Sequence, residues 1–173
     1  YKRQAVGYQS LYNNTTATFN TAIGYRSLYT NTIGVNNTAL GVTALQNLVS
    51  GNYNVAVGYA AMLNTTYSNY NVAMGYMAMR TNTTGDTNTA VGYQSLYSNT
   101  VGGNNVALGN TALYNNTTAN NNTAIGNQAL YTNTTGPSNV AIGHQSMYYN
   151  TYGGFNTAVG VYASGNNTTG TYN

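Results

Sequence analysis

The chain lacks cysteine and tryptophan and carries very little charge. Without cysteine it can form neither disulfide bonds nor thiolate metal sites, so its stability must come from packing and hydrogen bonds. The charged residues are Lys2, Arg3, Arg26, Arg80 and Asp86. So few cations cannot neutralise the many phosphates that a nucleic-acid interface contacts, and we therefore expect no nucleic-acid partner.

Long hydrophobic runs and clusters of titratable residues are also missing. No run of 18 apolar residues occurs, so we expect no membrane insertion of this segment. Asp86 is the one acidic residue and His144 the one histidine, and they lie far apart in the sequence. Because catalysis and calcium binding need such groups in clusters, we predict no enzyme activity, no catalytic, cofactor-binding or metal site, and no cofactor.

Polar uncharged residues, glycine and tyrosine dominate what is present. Asparagine and threonine together occupy 59 of 173 positions, beside 20 glycines and 19 tyrosines. This is too polar for one large globular core, so apolar burial must be spread along an elongated molecule. Residues 1–173 read as one uninterrupted repeat array that begins and ends in mid-repeat, which predicts an excerpt from a longer fibre.

The repeat is 17 residues long and has no insertion or deletion. The glycine column, as we call it, recurs at every 17th position: Gly7, Gly24, Gly41, Gly58, Gly75, Gly92, Gly109, Gly126, Gly143 and Gly160. Two residues earlier stands the alanine column, from Ala5 to Ala158, and one residue earlier the aliphatic column, from Val6 to Val159. Three residues after each glycine comes alanine or serine, and four after it the leucine column, Leu or Met except at Ser164.

A 17-residue unit is too short for a pair of helices, so a β-coil remains. We predict one short strand ending before the glycine, a second strand over Tyr93–Tyr97 and its equivalents, and a closing turn over Ser98–Asn104. Stacked coils give an all-β β-solenoid, a parallel β-roll of ten 17-residue coils. Strand alternation predicts that the aliphatic and leucine columns face each other inside the roll, with the two small-residue columns outward. Because small outward side chains allow another chain to approach closely, these two columns suggest that second and third copies of the chain pack along a shared axis.

The units Asn88–Thr100 and Asn122–Gly136 resemble the head repeats of trimeric autotransporter adhesins of the YadA type, and they are similar to repeats in some phage tail-fibre and other surface fibre proteins. The resemblance covers the whole chain. It implies a homotrimer of left-handed parallel β-rolls that serves as a spacer or binding head. The unit here is longer than the usual adhesin unit, and its extra residues fall in the Asn-Thr-Thr-Gly loop.

Three sets of residues are candidates for surface roles. Glycosylation sequons of the form Asn-x-Thr cluster in the closing loop, and we select Asn14, Asn64, Asn82, Asn116, Asn133 and Asn167. The far tyrosine column lies five residues after the glycine and is favoured as an aromatic ladder that stabilises the stack, with exposed aromatic contacts as the alternative: Tyr12, Tyr29, Tyr97, Tyr114, Tyr131 and Tyr148. The opening asparagine column, from Asn20 to Asn173, predicts an amide ladder that satisfies turn backbone groups.

These features predict a structural or adhesive extracellular fibre, a rigid rod for attachment or display on a cell surface or in a virion tail fibre. Its partners would be other copies of the chain, as a homotrimer or filament, and a glycan or cell-surface receptor. The alternative is a glycan-coated extracellular fibril scaffold. An ice-binding solenoid is less favoured because the threonine before the alanine column is replaced by valine at Val55, Val72, Val106 and Val140.

Overall fold

The computed structural model describes residues 3–173. Ten three-residue strands, spaced 17 residues apart, lie side by side in one parallel sheet in sequence order. Their bounds are β1 Gln4–Val6, β2 Thr21–Ile23, β3 Thr38–Leu40, β4 Val55–Val57, β5 Val72–Met74, β6 Thr89–Val91, β7 Val106–Leu108, β8 Thr123–Ile125, β9 Val140–Ile142 and β10 Thr157–Val159. Successive alanines are in register, as in the pair Ala5 and Ala22. The predicted parallel β-solenoid is confirmed.

Each strand ends at the glycine column because the chain turns there with a backbone that only glycine adopts readily. Gly92 has a φ of 134°. A Cβ at this position would lie 2.4 Å from the carbonyl oxygen of Gly109, one coil further on. The coils therefore approach each other most closely along the glycine column, and its invariance follows from both the turn and the contact.

The predicted second strand over Tyr93–Tyr97 is wrong, because this segment is a continuous turn. Gln94 and Leu96 have φ values of 49° and 52°, in the left-handed region, so the chain curls where a strand would run straight. The inter-coil ladder nevertheless continues. Gln94 N–H donates to Tyr76 O of the preceding coil at 2.9 Å, and Leu96 N–H donates to Ala112 O of the following coil at 2.9 Å.

Every coil contains three non-glycine residues with positive φ: two in the turn after the glycine and one just before the opening asparagine. In the sixth coil these are Gln94, Leu96 and Asn104. Left-handed conformations cost non-glycine residues about 1–2 kcal/mol each. Because each coil is hydrogen-bonded to its neighbours along most of its length, the stack offsets a cost that an isolated coil could not. The predicted closing turn over Ser98–Asn104 is confirmed as irregular turn structure.

The predicted orientation of the strand residues is wrong. The alanine column points inward, and Ala22, Ala90 and Ala124 have no exposed surface. The aliphatic column points outward, and its members Ile23 and Met74 are 44% and 43% exposed. Since the leucine column fills the interior as expected, only methyl-sized space remains beside the strand, and the larger side chain must face out.

This reversal removes the sequence argument that the small-residue columns mark an axis shared with other chains. The alanine column and the Ala/Ser column both belong to the interior of their own coil, where Ala44, Ala61 and Ser95 are also fully buried. They are small because the coil is narrow. Any surface that meets a second copy of the chain must be sought on the outward-facing columns.

The opening asparagine column forms the predicted ladder along one side of the interior. Asn37 N–H donates to Asn20 Oδ1 at 2.8 Å, and Asn37 Nδ2 donates to Gly51 O of the next coil at 2.7 Å. The same backbone-to-amide bond recurs at each step up to Asn173. These amides satisfy buried backbone groups that the turns leave unpaired, so the core is half polar yet largely hydrogen-bonded.

Candidate contact surfaces

The far tyrosine column runs along the outer surface, where it was predicted. Tyr12 is 63% exposed and the other five members are half-buried. Successive rings stack nearly parallel, with centroids 5.1–5.4 Å apart in the pairs Tyr12–Tyr29, Tyr97–Tyr114, Tyr114–Tyr131 and Tyr131–Tyr148. Gln46, Leu63 and Arg80 occupy this column in the three middle coils and divide it into two ladders. Its role as a contact surface stays a prediction.

A second ladder, the near tyrosine column, lies one residue after the glycine. Tyr8 stacks on Tyr25 at 5.7 Å, and Tyr59, Tyr76 and Tyr93 form a continuous stack with steps of 5.3 and 5.4 Å. The two tyrosine columns lie side by side on the surface. The guanidinium of Arg26 lies 5.2 Å from the ring centroid of Tyr25 in one column and 5.3 Å from that of Tyr29 in the other.

Stacking decides which part of each ring can meet a partner. A ring inside a ladder has neighbours on both faces, so it presents its edge and hydroxyl to solvent. Burial raises the pKa of the Tyr114 hydroxyl above its ordinary value, and the neighbouring hydroxyls of Tyr97, Tyr131 and Tyr93 raise it further. For Tyr148 burial again raises the pKa, followed by the hydroxyls of Tyr131 and Tyr149. The hydroxyls of Tyr114 and Tyr148 are therefore neutral hydrogen-bonding groups.

A third aromatic row, which the sequence reasoning missed, precedes the opening asparagine column. Tyr53 stacks on Tyr70 at 5.2 Å, and Phe155 stacks on Tyr172 at 5.1 Å. All four residues have positive φ values between 56° and 60°. The 17-residue spacing of these aromatics could have predicted the row from sequence. Their positive φ could not have been predicted, because aromatic residues do not favour the left-handed region.

The structure places the six candidate glycosylation residues in different environments. Asn82, Asn116 and Asn133 are completely buried. The side-chain polar atoms of Asn14 are also buried and have no hydrogen-bond partner in the described part of the chain. Asn64 and Asn167 are partly exposed. A sugar would have room only on these last two, and their glycosylation stays a prediction.

The buried members of this set belong to a second amide ladder, the loop asparagine column: Asn31, Asn82, Asn99, Asn116, Asn133 and Asn150. Each Nδ2 donates to the carbonyl three residues later, as Asn99 does to Gly102 O at 2.9 Å. From Asn99 onward each Nδ2 also donates to the Oδ1 of the preceding coil. The Asn-x-x-Gly spacing of several loops is an Asx-turn signal that could have found this ladder.

The loop threonines divide into two groups. The first, directly after the loop asparagine, donates its hydroxyl to the equivalent carbonyl of the next coil, as Thr83 does to Thr100 O at 2.8 Å. The second lies outside, exposed in five coils at Thr16, Thr84, Thr118, Thr135 and Thr169. Within residues 3–173 these five hydroxyls donate no hydrogen bond, so they are the accessible hydroxyls of the loop.

The outward face of the sheet is an apolar strip along the whole stack. It combines the aliphatic column with the Thr/Val column two residues earlier, whose members in β2–β9 are half-buried. Val6, Ile23, Met74 and Val159 are among its exposed side chains. Ten strands at about 4.8 Å give a strip about 50 Å long. The two columns lie two residues apart, so the strip is about 7 Å wide and covers about 350 Å², within the range of about 300–600 Å² of the largest apolar patch on a typical monomer.

The isolated titratable groups occupy separate surface positions. Asp86 is exposed and accepts a hydrogen bond from Asn69 N–H at 2.6 Å. His144 is exposed and packs edge-on to Tyr162 with centroids 5.3 Å apart. Over residues 3–173 no three His, Cys, Asp or Glu residues gather in a way that could hold a metal ion. The described part of the chain also has no helix able to cross a membrane.

Comparison with protein-family models, with curated proteins and with solved structures finds no match to this chain. The similarity to adhesin head repeats therefore rests on the repeat itself. Of what this similarity implies, the structure supports the general fold, a parallel β-solenoid with 17-residue coils.

Proposed function

We propose that the chain is a segment of an extracellular structural fibre, a rigid rod that associates with other copies of itself and holds or displays contact surfaces. The observation that carries this proposal is the apolar strip on the outward face of the sheet. In a single chain its aliphatic side chains stay partly or largely exposed along the full stack. Its area of about 350 Å² is part of the roughly 800 Å² that each partner contributes to a standard stable interface, and the near tyrosine column would supply more.

A second copy of the chain fits this strip because it carries the same repeat. Two copies laid side by side present aliphatic side chains at the same axial spacing, so every coil makes the same contact. The resemblance to YadA-type head repeats favours three copies and a location at the cell surface, or in a virion tail fibre. The far tyrosine column remains outside such a bundle and is the surface that a glycan or cell-surface receptor would meet.

Analytical ultracentrifugation tests the self-association. We expect the protein to sediment as an oligomer, with three copies favoured, and Val91→Asp with Ile125→Asp to shift it toward monomer. Both side chains point outward, so circular dichroism should show the fold retained. Thr84→Asp with Thr118→Asp is the matched control, since it adds the same charges on the exposed loop. A monomer at all concentrations, or equal dissociation by both double variants, contradicts the proposal.

A glycan-coated fibril is the second candidate, and the exposed threonines favour it in O-linked form. Five accessible hydroxyls recur on the loop, whereas three of the six candidate asparagines are completely buried. Mass spectrometry with site mapping on protein from its native source is the test. Sugars on Thr16, Thr84, Thr118, Thr135 or Thr169 would support the candidate. Bare loops would contradict it.

A further inference from the structure

The far tyrosine column is interrupted at residue 165, beside an open cavity. The next member after Tyr148 would be residue 165, which is glycine, so no ring continues the stack there. A cavity of about 360 Å³ occupies this place and is lined by Gln145, Tyr148, Tyr149, Tyr162, Gly165 and Asn166. Its volume lies within the ~300–1,000 Å³ range of small-molecule sites. It is thus an interruption of the ladder that leaves aromatic surface uncovered.

Two tyrosines form an aromatic corner in this cavity. The rings of Tyr148 and Tyr149 are nearly perpendicular, at 79°, with centroids 4.7 Å apart. Tyr162 contributes a third ring, held edge-on by His144. Tyr149 is 53% exposed even with the following coil beside it, so much of its surface is available to a ligand. Inside the ladders, by contrast, neighbouring rings cover both faces.

The floor and the polar rim of the cavity are built from neutral groups. Gly165 is fixed by two backbone bonds of 3.1 Å, donating to Tyr162 O and accepting from Tyr149 N–H. Gln145 Nε2 donates to Gln128 Oε1 at 2.5 Å, which leaves Gln145 Oε1 as a free acceptor. Asn166 is exposed and adds an amide donor and acceptor. Among residues 3–173, no lysine, arginine, aspartate or glutamate lines the cavity.

We propose that this cavity binds a neutral pyranose, as a terminal sugar of a glycan. A pyranose has an apolar C–H face that packs on an aromatic ring, and hydroxyls that exchange hydrogen bonds with amides and tyrosine hydroxyls. The absence of a charged wall matches a neutral ligand. The site lies within one chain, so it depends neither on self-association nor on glycosylation, and either of those can fail without affecting it.

Saturation-transfer-difference NMR on the full chain tests this site. The probes are the methyl glycosides of glucose, galactose, mannose and N-acetylglucosamine, each titrated at millimolar concentration. We expect saturable transfer to the ring protons on one face of at least one glycoside. Tyr149→Ala and Tyr162→Ala should each weaken that binding about fivefold to tenfold, because each removes an aromatic contact.

Two further variants show whether a loss of binding comes from the cavity itself or from a general effect of substitution. Gly165→Tyr should abolish binding by extending the ladder into the cavity; a Cβ there lies 3.2 Å from Tyr162 O, a contact that a small shift relieves. Tyr70→Ala is the matched control, because Tyr70 is 60% exposed and lies several coils away. Circular dichroism confirms the fold of each variant. No saturable transfer to any glycoside, binding that survives all three cavity substitutions, or equal loss in Tyr70→Ala overturns the proposal.

Discussion

Asn116 Nδ2 lies 2.9 Å from Asn99 Oδ1, so that the amide of one coil donates to the amide of the coil before it. The same Nδ2 donates to Ala119 O at 3.1 Å, and Asn133 Nδ2 donates to Asn116 Oδ1 at 3.2 Å. Asn99 and Asn116 are both completely buried. The loop asparagine column therefore connects successive coils through the interior.

Replacing Asn116 with aspartate should destabilise the fold strongly. The substitution removes both donated hydrogen bonds and places a carboxylate against two oxygen acceptors in a buried site, at a cost of about 3 kcal/mol or more. Urea denaturation followed by circular dichroism measures this cost. Asn120→Asp is the matched control, because Asn120 is exposed, accepts from Gly103 N–H, and is replaced by Asp86 two coils earlier. Equal stability of the two variants would argue against the ladder.

Replacing Gly92 with alanine should destabilise the stack by about 2–4 kcal/mol, since the new Cβ combines an unfavourable φ with a contact to the next coil. That contact, to Gly109 O, would measure only 2.4 Å. Gly103→Ala is the comparison, because other coils carry Val, Asn, Asp or Thr at its position. Thermal unfolding of both variants measures the difference. A Gly92 variant as stable as the Gly103 variant would contradict the close approach of the coils.

The orientation of the strand can be tested with a neighbouring pair. Ala90→Val adds volume to a filled interior and should cost about 1–3 kcal/mol. Val91→Ala trims an outward side chain and should change the free energy of unfolding of the monomer by less than about 0.5 kcal/mol. Denaturation at low protein concentration measures both. If Val91→Ala were the more damaging change, the aliphatic column would face inward after all.

Stability should decline at alkaline pH through the tyrosine ladders. The pKa values of Tyr114 and Tyr148 are raised above the ordinary 10.0, mainly by burial. Below pH 10 both states hold these protons and the stabilisation is complete; as pH rises through the raised folded pKa, it is lost. Tyrosinate absorbance with denaturation across this range should show the decline. Tyr114→Phe keeps the ring and should lessen it, and an unchanged decline would contradict the assignment.

The spacing of Gly92 and its equivalents predicts the coil from sequence because a turn with close backbone contact tolerates no side chain. The inward and outward faces of β6 could not be read in the same way. In the strand Thr89–Val91 alternation allows either face to be buried, and the usual preference for burying the larger residue gives the wrong answer. Only the narrowness of the coil decides it, and that is a property of the closed structure.

The turn containing Gln94 and Leu96 escaped prediction because neither residue favours the left-handed region. Their conformation is imposed by the stack. Three members of the loop asparagine column, Asn82, Asn116 and Asn133, also stand in glycosylation sequons, and only their burial in the structure distinguishes the two interpretations. The cavity beside Gly165 exists because glycine replaces tyrosine at one position of the far tyrosine column. A repeat pattern describes the common residue at each position, so it does not predict such a single exception.

Each 17-residue unit forms one coil that stacks on the previous coil, and X-ray diffraction from an aligned sample of the protein can test this arrangement. Stacked coils should give a strong axial reflection at about 4.8 Å, the spacing between paired strands of successive coils. A pattern without this axial spacing, or with the strands running along the rod, would contradict the stacked solenoid.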